Sequence, residues 1–227
     1  MKEEFKRPLS LVEATKDAIR SSIINGKLSL GQQITESFLQ KTFGLSKTPV
    51  RESLALLKGE GLVVSEIHKG FRVFKMDEKD LSEFCEYRLA LESQALKTAY
   101  NNNRLELVKE LKNYIKEFEE SIKQNDFEKH NLTDTKYHKS FFILSSNRYL
   151  LKTYENINGI IETIRNHSGA FLVKNVGLGS IKGHKLICNH IKEKNLNLAL
   201  DELDKHINSW HDDRIIKSSL IPSADVE

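Results

Sequence analysis

The residue types best suited to chemistry here are a carboxylate and an imidazole four positions apart, Asp134 and His138, with His184 and His206 further along. On a helix, residues at i and i+4 emerge on one face with Cβ atoms about 5 to 6 Å apart, so one metal ion can take both. His184 opens one later helix and His206 lies within the next. Spacing alone leaves two readings open. Either several helices converge on an ion, or these are solvated and core-satisfied histidines beside a surface Asp–His pair. The remaining histidines act as a check. His190 lies about 240° around a helix from His184, and His211 about 140° from His206, so both are expected to point elsewhere. His130, four residues before Asp134, is expected to face solvent.

A second constellation is cationic. Ser46-Lys47-Thr48-Pro49-Val50-Arg51 reads as the start of a helix: Ser46 or Thr48 can cap it, and Pro49 suits a first turn whose N–H groups lack partners. Val50, Leu54 and Leu57 form one apolar stripe, which leaves Lys47, Thr48 and Arg51 facing outward near the helix N-terminus. In a helix-turn-helix this end meets base edges. An Arg there can fork onto guanine for about 1 to 3 kcal/mol of discrimination.

The elements that must position these groups can be read in chain order. Residues 1–9 are polar and are expected to form an arm, which lies outside the residues described below. Ser10 and Glu13 make a capping box before an apolar pattern through Ile23, and Gly26 ends that helix. Thr35 starts a second helix with Phe38, Leu39 and Phe43 expected inward, and Gly44 turns the chain into the cationic helix. Leu62-Val63-Val64 and Phe71-Arg72-Val73-Phe74 alternate like strands around a tight turn at His68-Lys69-Gly70, which predicts a hairpin wing. Beyond Asp77 only helical patterns follow, at 80–101, 105–124, 127–145, 148–166, 180–194 and 197–218. The breaks between them include Asn101-Asn102-Asn103 and Gly177-Leu178-Gly179. Six short-linked amphipathic helices predict an antiparallel bundle. The Leu-rich stripe of Leu105, Leu107, Leu111, Ile115 and Phe118 is expected in its core or at a dimer contact.

The fold class is therefore mainly α: a winged helix-turn-helix over residues 1–76, then an all-helical bundle over 77–227. Charge follows the same division. Residues 1–76 carry 13 Lys+Arg against 8 Asp+Glu, and the remainder 22 against 24, so the basic excess belongs to the first third. Two distant cysteines, Cys85 and Cys188, and no signal-like apolar run point to a reducing cytoplasm, with no membrane role expected.

Ile23 to Gly31, the run Ser46 to Leu54, and Gly59-Glu60-Gly61-Leu62-Val63 together resemble the winged-helix domain of the GntR family of bacterial transcription regulators. The rest resembles the FCD effector domain of the FadR branch. The resemblance implies that Lys47 and Arg51 contact bases or phosphates with Thr48 in support, and that His68, Lys69 and Gly70 reach the minor groove. It also implies that Asp134, His138, His184 and His206 hold a divalent metal, which the ligand chemistry allows to be Zn, Ni or Mn. Arg88 and Asn147 fall at positions bordering the effector pocket. Arg88 has an alternative as a surface partner of Glu92, and Asn147 as a helix cap. Two positions depart from the family: Lys47 replaces the usual Arg and cannot make a planar fork, and Ser37 stands where a basic residue is frequent.

The function expected from this is a homodimeric repressor, not an enzyme, that binds a roughly palindromic double-stranded operator and responds to a small carboxylate docked on the metal. Two alternatives stand beside it. The metal itself is the signal, or the bundle is a metal-dependent hydrolase, for which His211-Asp212 superficially resembles an HD pair.

Overall fold

The computed structural model describes residues 10–67, 69–167 and 176–212, and internal packing divides the chain into two units that meet at Lys75 and Met76. No described helix is long and apolar enough to cross a membrane.

The first unit runs α1 (Leu11–Ile24), β1 (Gln33–Ile34), α2 (Glu36–Phe43), α3 (Lys47–Gly59), β2 (Val63–Glu66) and β3 (Gly70–Val73). Local chemistry sets the helix ends. Ser10 Oγ accepts from the Glu13 N–H while the Glu13 carboxylate accepts from the Ser10 N–H, and Thr35 caps α2 through the Phe38 N–H. Gly44, at φ 66°, ends α2 in the left-handed region and turns the chain into α3. Ser46 occupies the N-cap of α3 without a side-chain hydrogen bond. Val50, Leu54 and Leu57 are fully buried, each contributing roughly 2 kcal/mol of transfer free energy. Ser53 Oγ donates to the Val12 carbonyl at 2.8 Å and ties α3 to α1. Burying this face turns Lys47, Thr48 and Arg51 outward.

The wing has three strands rather than two. β3 lies between β2 and β1, antiparallel to both, with Val64 opposite Arg72 and Gln33 also opposite Arg72. Arg72 clamps this sheet through Glu66 at 2.6 Å and the Gly31 carbonyl at 2.6 Å. Gly70 has φ +85°, and a Cβ there would lie 3.2 Å from the Ile34 carbonyl oxygen, so the turn and the close pass of β1 both favour glycine. Phe38 departs from expectation: it is 41% exposed, and Leu39 alone of the α2 residues is fully buried.

The second unit is helical throughout its described length: α4 (Glu78–Gln124), α5 (Phe127–Ser145), α6 (Arg148–His167), α7 (Val176–Lys192) and α8 (Leu196–Asp212). The first two expected helices form one long element with a non-helical residue, Asn103, inside it. Asn102 and Asn103 donate to the Ser145 and Leu144 carbonyls, which pins this bend against the end of α5. Gly177-Leu178-Gly179 lies within α7 rather than in a break. Leu107, Leu111 and Phe118 are core, whereas Leu105 is 78% exposed.

Candidate metal centre and recognition helix

The buried face of α5 carries an unusual run of polar groups. His130, Thr133, Asp134 and His138 are all buried, alternating at helical spacing with Tyr137 and Phe141. Buried groups of this kind persist only with partners. For Asp134 and His138 those partners come from α7 and α8. Asp134, His138, His184 and His206 each bring one ligand atom into a cluster no wider than 4.8 Å, the first three buried and His206 half-buried.

The distances fit a metal. His138 Nε2 lies 3.2 Å from both His184 Nε2 and His206 Nε2, and the Asp134 oxygens lie 3.4 Å from His184 Nε2 and 3.7 Å from His138 Nε2. With metal–nitrogen bonds of about 2.0 to 2.1 Å, two ligands are roughly 3.0 Å apart at a right angle and roughly 3.4 Å apart at the tetrahedral angle. These four separations fall in or near that window, and the widest pair in the cluster, up to 4.8 Å, would have to draw in on binding. His138 Nδ1 points at Glu92 Oε2 from 2.6 Å, and a carboxylate accepts, so Nδ1 carries a proton and Nε2 is the atom turned toward His184 and His206.

The electrostatics favour neutral His184 and His206 beside an ionised Asp134 carboxylate. Burial, with help from His206, pushes His184 well below its ordinary pKa, and burial, with help from His138, pushes His206 down to about 3. Burial resists the charge on Asp134, but the Arg165 guanidinium, in close ion pairing with Oδ2, leads the interactions that outweigh it and hold the carboxyl well below its usual range. Glu92 is similar: burial opposes ionisation, Arg88 and His138 overcome it, and its pKa falls to about 2.

Packing fixes the rings. His184 stacks on Phe118 with centroids 4.7 Å apart, and the Tyr137 hydroxyl donates to the His184 carbonyl at 2.9 Å. His184 Nδ1 has no hydrogen-bond partner, so stacking rather than an outer acceptor orients that ring. Gly183 admits His206: a Cβ at this position would lie 3.0 Å from His206 Nδ1.

Arg88 lies against this centre. It is 1% exposed, donates from Nε to Glu92 Oε1 at 2.6 Å, and has its guanidinium 4.7 Å from the ring centroid of Trp210, the chain's single tryptophan. The pairing with Glu92 raised as an alternative is present, but buried rather than on the surface. Arg88 Nη2 and the Tyr154 hydroxyl are both buried without hydrogen-bond partners. Tyr154 feels the charges of Glu92, Arg88, Arg165 and Asp134, so these two orphan groups share the electrostatic neighbourhood of the cluster.

Other expected site residues fall differently. Asn147 is exposed, and its Oδ1 accepts from the Tyr149 and Leu150 N–H groups at 3.0 and 3.2 Å, the helix-cap alternative. His130 is buried rather than solvent-facing, because Ser121 Oγ at 3.3 Å gives its Nδ1 a partner and Phe118 packs on its ring. It is not in the cluster, nor is His190. The side chains of His211 and Asp212 lie outside the described residues, as does His68. Lys47, Thr48, Arg51, Lys69 and Gly70 are all exposed on the first unit. Tyr154, Arg165 and Gly183 carry no local signal in the sequence, and Glu92 entered it only as a surface partner of Arg88 through their i, i+4 spacing.

The comparisons with known proteins agree with this division. The family model described as bacterial regulatory proteins, gntR family, matches residues 11–73, and the model of the FCD domain matches residues 83–209, more than half of the chain. The chain belongs to the GntR family, with an FCD domain. Among relatives of this GntR-family chain, an uncharacterized HTH-type transcriptional regulator of Bacillus subtilis, YdhC, is 28% identical over 89% of each chain. A probable D-xylose utilization operon transcriptional repressor of Paenarthrobacter nicotinovorans is 28% identical, over 88% of this chain and 87% of its own. In fold it is similar to Escherichia coli McbR/YncC, with TM-score 0.73 and 18% identity over 89% of this chain and 95% of that one. A GntR regulator from Rhodococcus sp. RHA1 gives TM-score 0.73 and 16% identity over 92% and 98%. The matched domains and relatives are transcriptional regulators, not enzymes, and the chain is a DNA-binding regulator of this type.

Proposed function

We propose that this chain is a repressor of the FadR branch whose DNA affinity is set by a small carboxylate bound at a divalent metal in the second unit. Asp134, His138, His184 and His206 hold the ion, and Zn, Ni and Mn all suit three imidazoles and one carboxylate. A bound ion would supply net positive charge that favours a chelating anion. The chain's own residues complete the site. Arg88, held by Glu92 through Nε, has Nη2 free to take one carboxylate oxygen, and Tyr154 offers a hydroxyl in the same neighbourhood. The observation that carries this reading is the convergence of three Nε2 atoms and one carboxylate beside two unpartnered buried donors.

In the first unit, Lys47, Thr48 and Arg51 meet the major groove, and the turn at His68, Lys69 and Gly70 meets the backbone or minor groove. One short helix reads few base pairs, so two copies related by a dyad bind a roughly palindromic operator. The carboxylate acts by binding one arrangement of the dimer better than another. Relatives named as gluconate operon repressors and a D-xylose utilization operon repressor make sugar acids natural members of a test panel.

The test is a thermal-shift screen of small carboxylates, sugar acids included, on metal-loaded and chelator-treated protein. A ligand that binds the folded state raises Tm by mass action. The expected result is stabilisation by one acid class only in the loaded protein, abolished by Arg88→Ala. Equal stabilisation with and without metal rejects the metal-docked site.

A further inference from the structure

One acidic residue sits among the DNA-facing cations. Glu36 is the first residue of α2, where the helix N-terminus also favours its charge. Its Oε1 accepts from Arg51 Nε at 3.0 Å, and its Oε2 lies 3.6 Å from Lys47 Nζ, so one carboxylate holds both cations at the start of α3. The Arg51 and Lys47 side chains are 61% and 62% exposed. An exposed pair of this kind contributes little to folding. Its consequence lies in where it aims the arginine. With Nε committed to Glu36, the terminal nitrogens Nη1 and Nη2 have no protein partner among the described residues and project as a planar fork. That fork matches the O6 and N7 acceptors of guanine, and holding it in place reduces the side-chain freedom lost on binding.

We propose that Glu36 is a specificity-determining residue: it positions Arg51 from behind, so that Arg51 reads a guanine in the major groove rather than wandering to a phosphate. Lys47, lacking a fork, is held on the same carboxylate as a point charge for the backbone. The assignment rests on α3 entering the major groove, as proposed above.

The experiment is selection of bound sequences from a random-sequence duplex pool by full-length wild type, Glu36→Gln and Arg51→Ala, with salt-dependent affinity measured on one selected duplex and on the unselected pool. Wild type is expected to enrich guanine at one position per half-site, and Arg51→Ala to lose that preference. Glu36→Gln is expected to lose roughly tenfold of the preference at the same position while keeping or slightly raising pool affinity, with a salt slope steeper by about one, since the released Arg51 reaches a phosphate instead. A purely structural role for Glu36 would lower affinity for all sequences alike. Retention of the full guanine preference in Glu36→Gln, with or without tighter overall binding, overturns the proposal. So does loss at a position other than the one Arg51 reads. Failure of wild type to enrich any sequence overturns both the proposal and the major-groove reading beneath it.

Discussion

His138 Nδ1 lies 2.6 Å from Glu92 Oε2, and both side chains are fully buried. The contact fixes the proton on Nδ1 and turns Nε2 toward His184, His206 and Asp134. The same carboxylate holds Arg88 with its other oxygen, so one residue of α4 orients both a proposed metal ligand and the proposed anion clamp.

Glu92→Gln should therefore weaken metal binding by about 10- to 100-fold, the usual cost of losing an outer partner of a ligating histidine. Glu92→Ala should also destabilise the fold by about 3 to 5 kcal/mol, because Arg88 is left as an unpaired buried charge. Metal titration and urea unfolding of the two variants check this; unaltered affinity in a folded Glu92→Gln protein would contradict it.

Tyr154→Phe removes a buried hydroxyl that has no partner. Deleting an unsatisfied polar group without changing shape is nearly neutral or mildly stabilising, so Tm in the absence of ligand should hold or rise slightly. Affinity for the stabilising carboxylate should fall about tenfold if the hydroxyl contacts it, as expected for loss of one hydrogen bond in a closed site. A large loss of stability would show that the hydroxyl has a structural partner.

Gly183→Ala places a methyl group 3.0 Å from His206 Nδ1. The ring must move by a few tenths of an ångström, and a ligand displaced by that much binds poorly. Metal affinity should drop about tenfold with far-UV circular dichroism unchanged. Full retention would mean that His206 repacks freely.

How far these residues were legible in the sequence depended on the range of their partners. The capping box of Ser10 and Glu13, the stripe of Val50, Leu54 and Leu57, and the i, i+4 pair of Asp134 and His138 are local patterns, and each sits in the structure as its spacing requires. That His184 and His206 join the pair followed from the family resemblance, not from spacing. β1 is two residues long and exists only through β3, nearly forty positions later, so no local alternation announces it. Glu92 and His138 are likewise far apart in sequence. The burial of His130 depends on Ser121 and Phe118 of the neighbouring helix α4, which a helical wheel of α5 does not contain.

Burial raises the Cys85 thiol to about 11 and raises Cys188 as well. A raised thiol pKa leaves the protonated, unreactive form in place at neutral pH, and thiolate appears only as pH climbs toward the shifted value. At pH 8 a thiol reagent should label neither cysteine in native protein and both after denaturation. Rapid labelling of the native protein would show that the α4 or α7 face opens.

The central claim is that Asp134, His138, His184 and His206 form a metal site, and the most direct test is metal stoichiometry and affinity by equilibrium dialysis with elemental analysis. Wild-type protein should hold close to one divalent ion per chain, and His184→Ala and His138→Ala should each lose at least tenfold in affinity while remaining folded. Substoichiometric binding by the wild type, or affinity unchanged in both variants, would contradict the account.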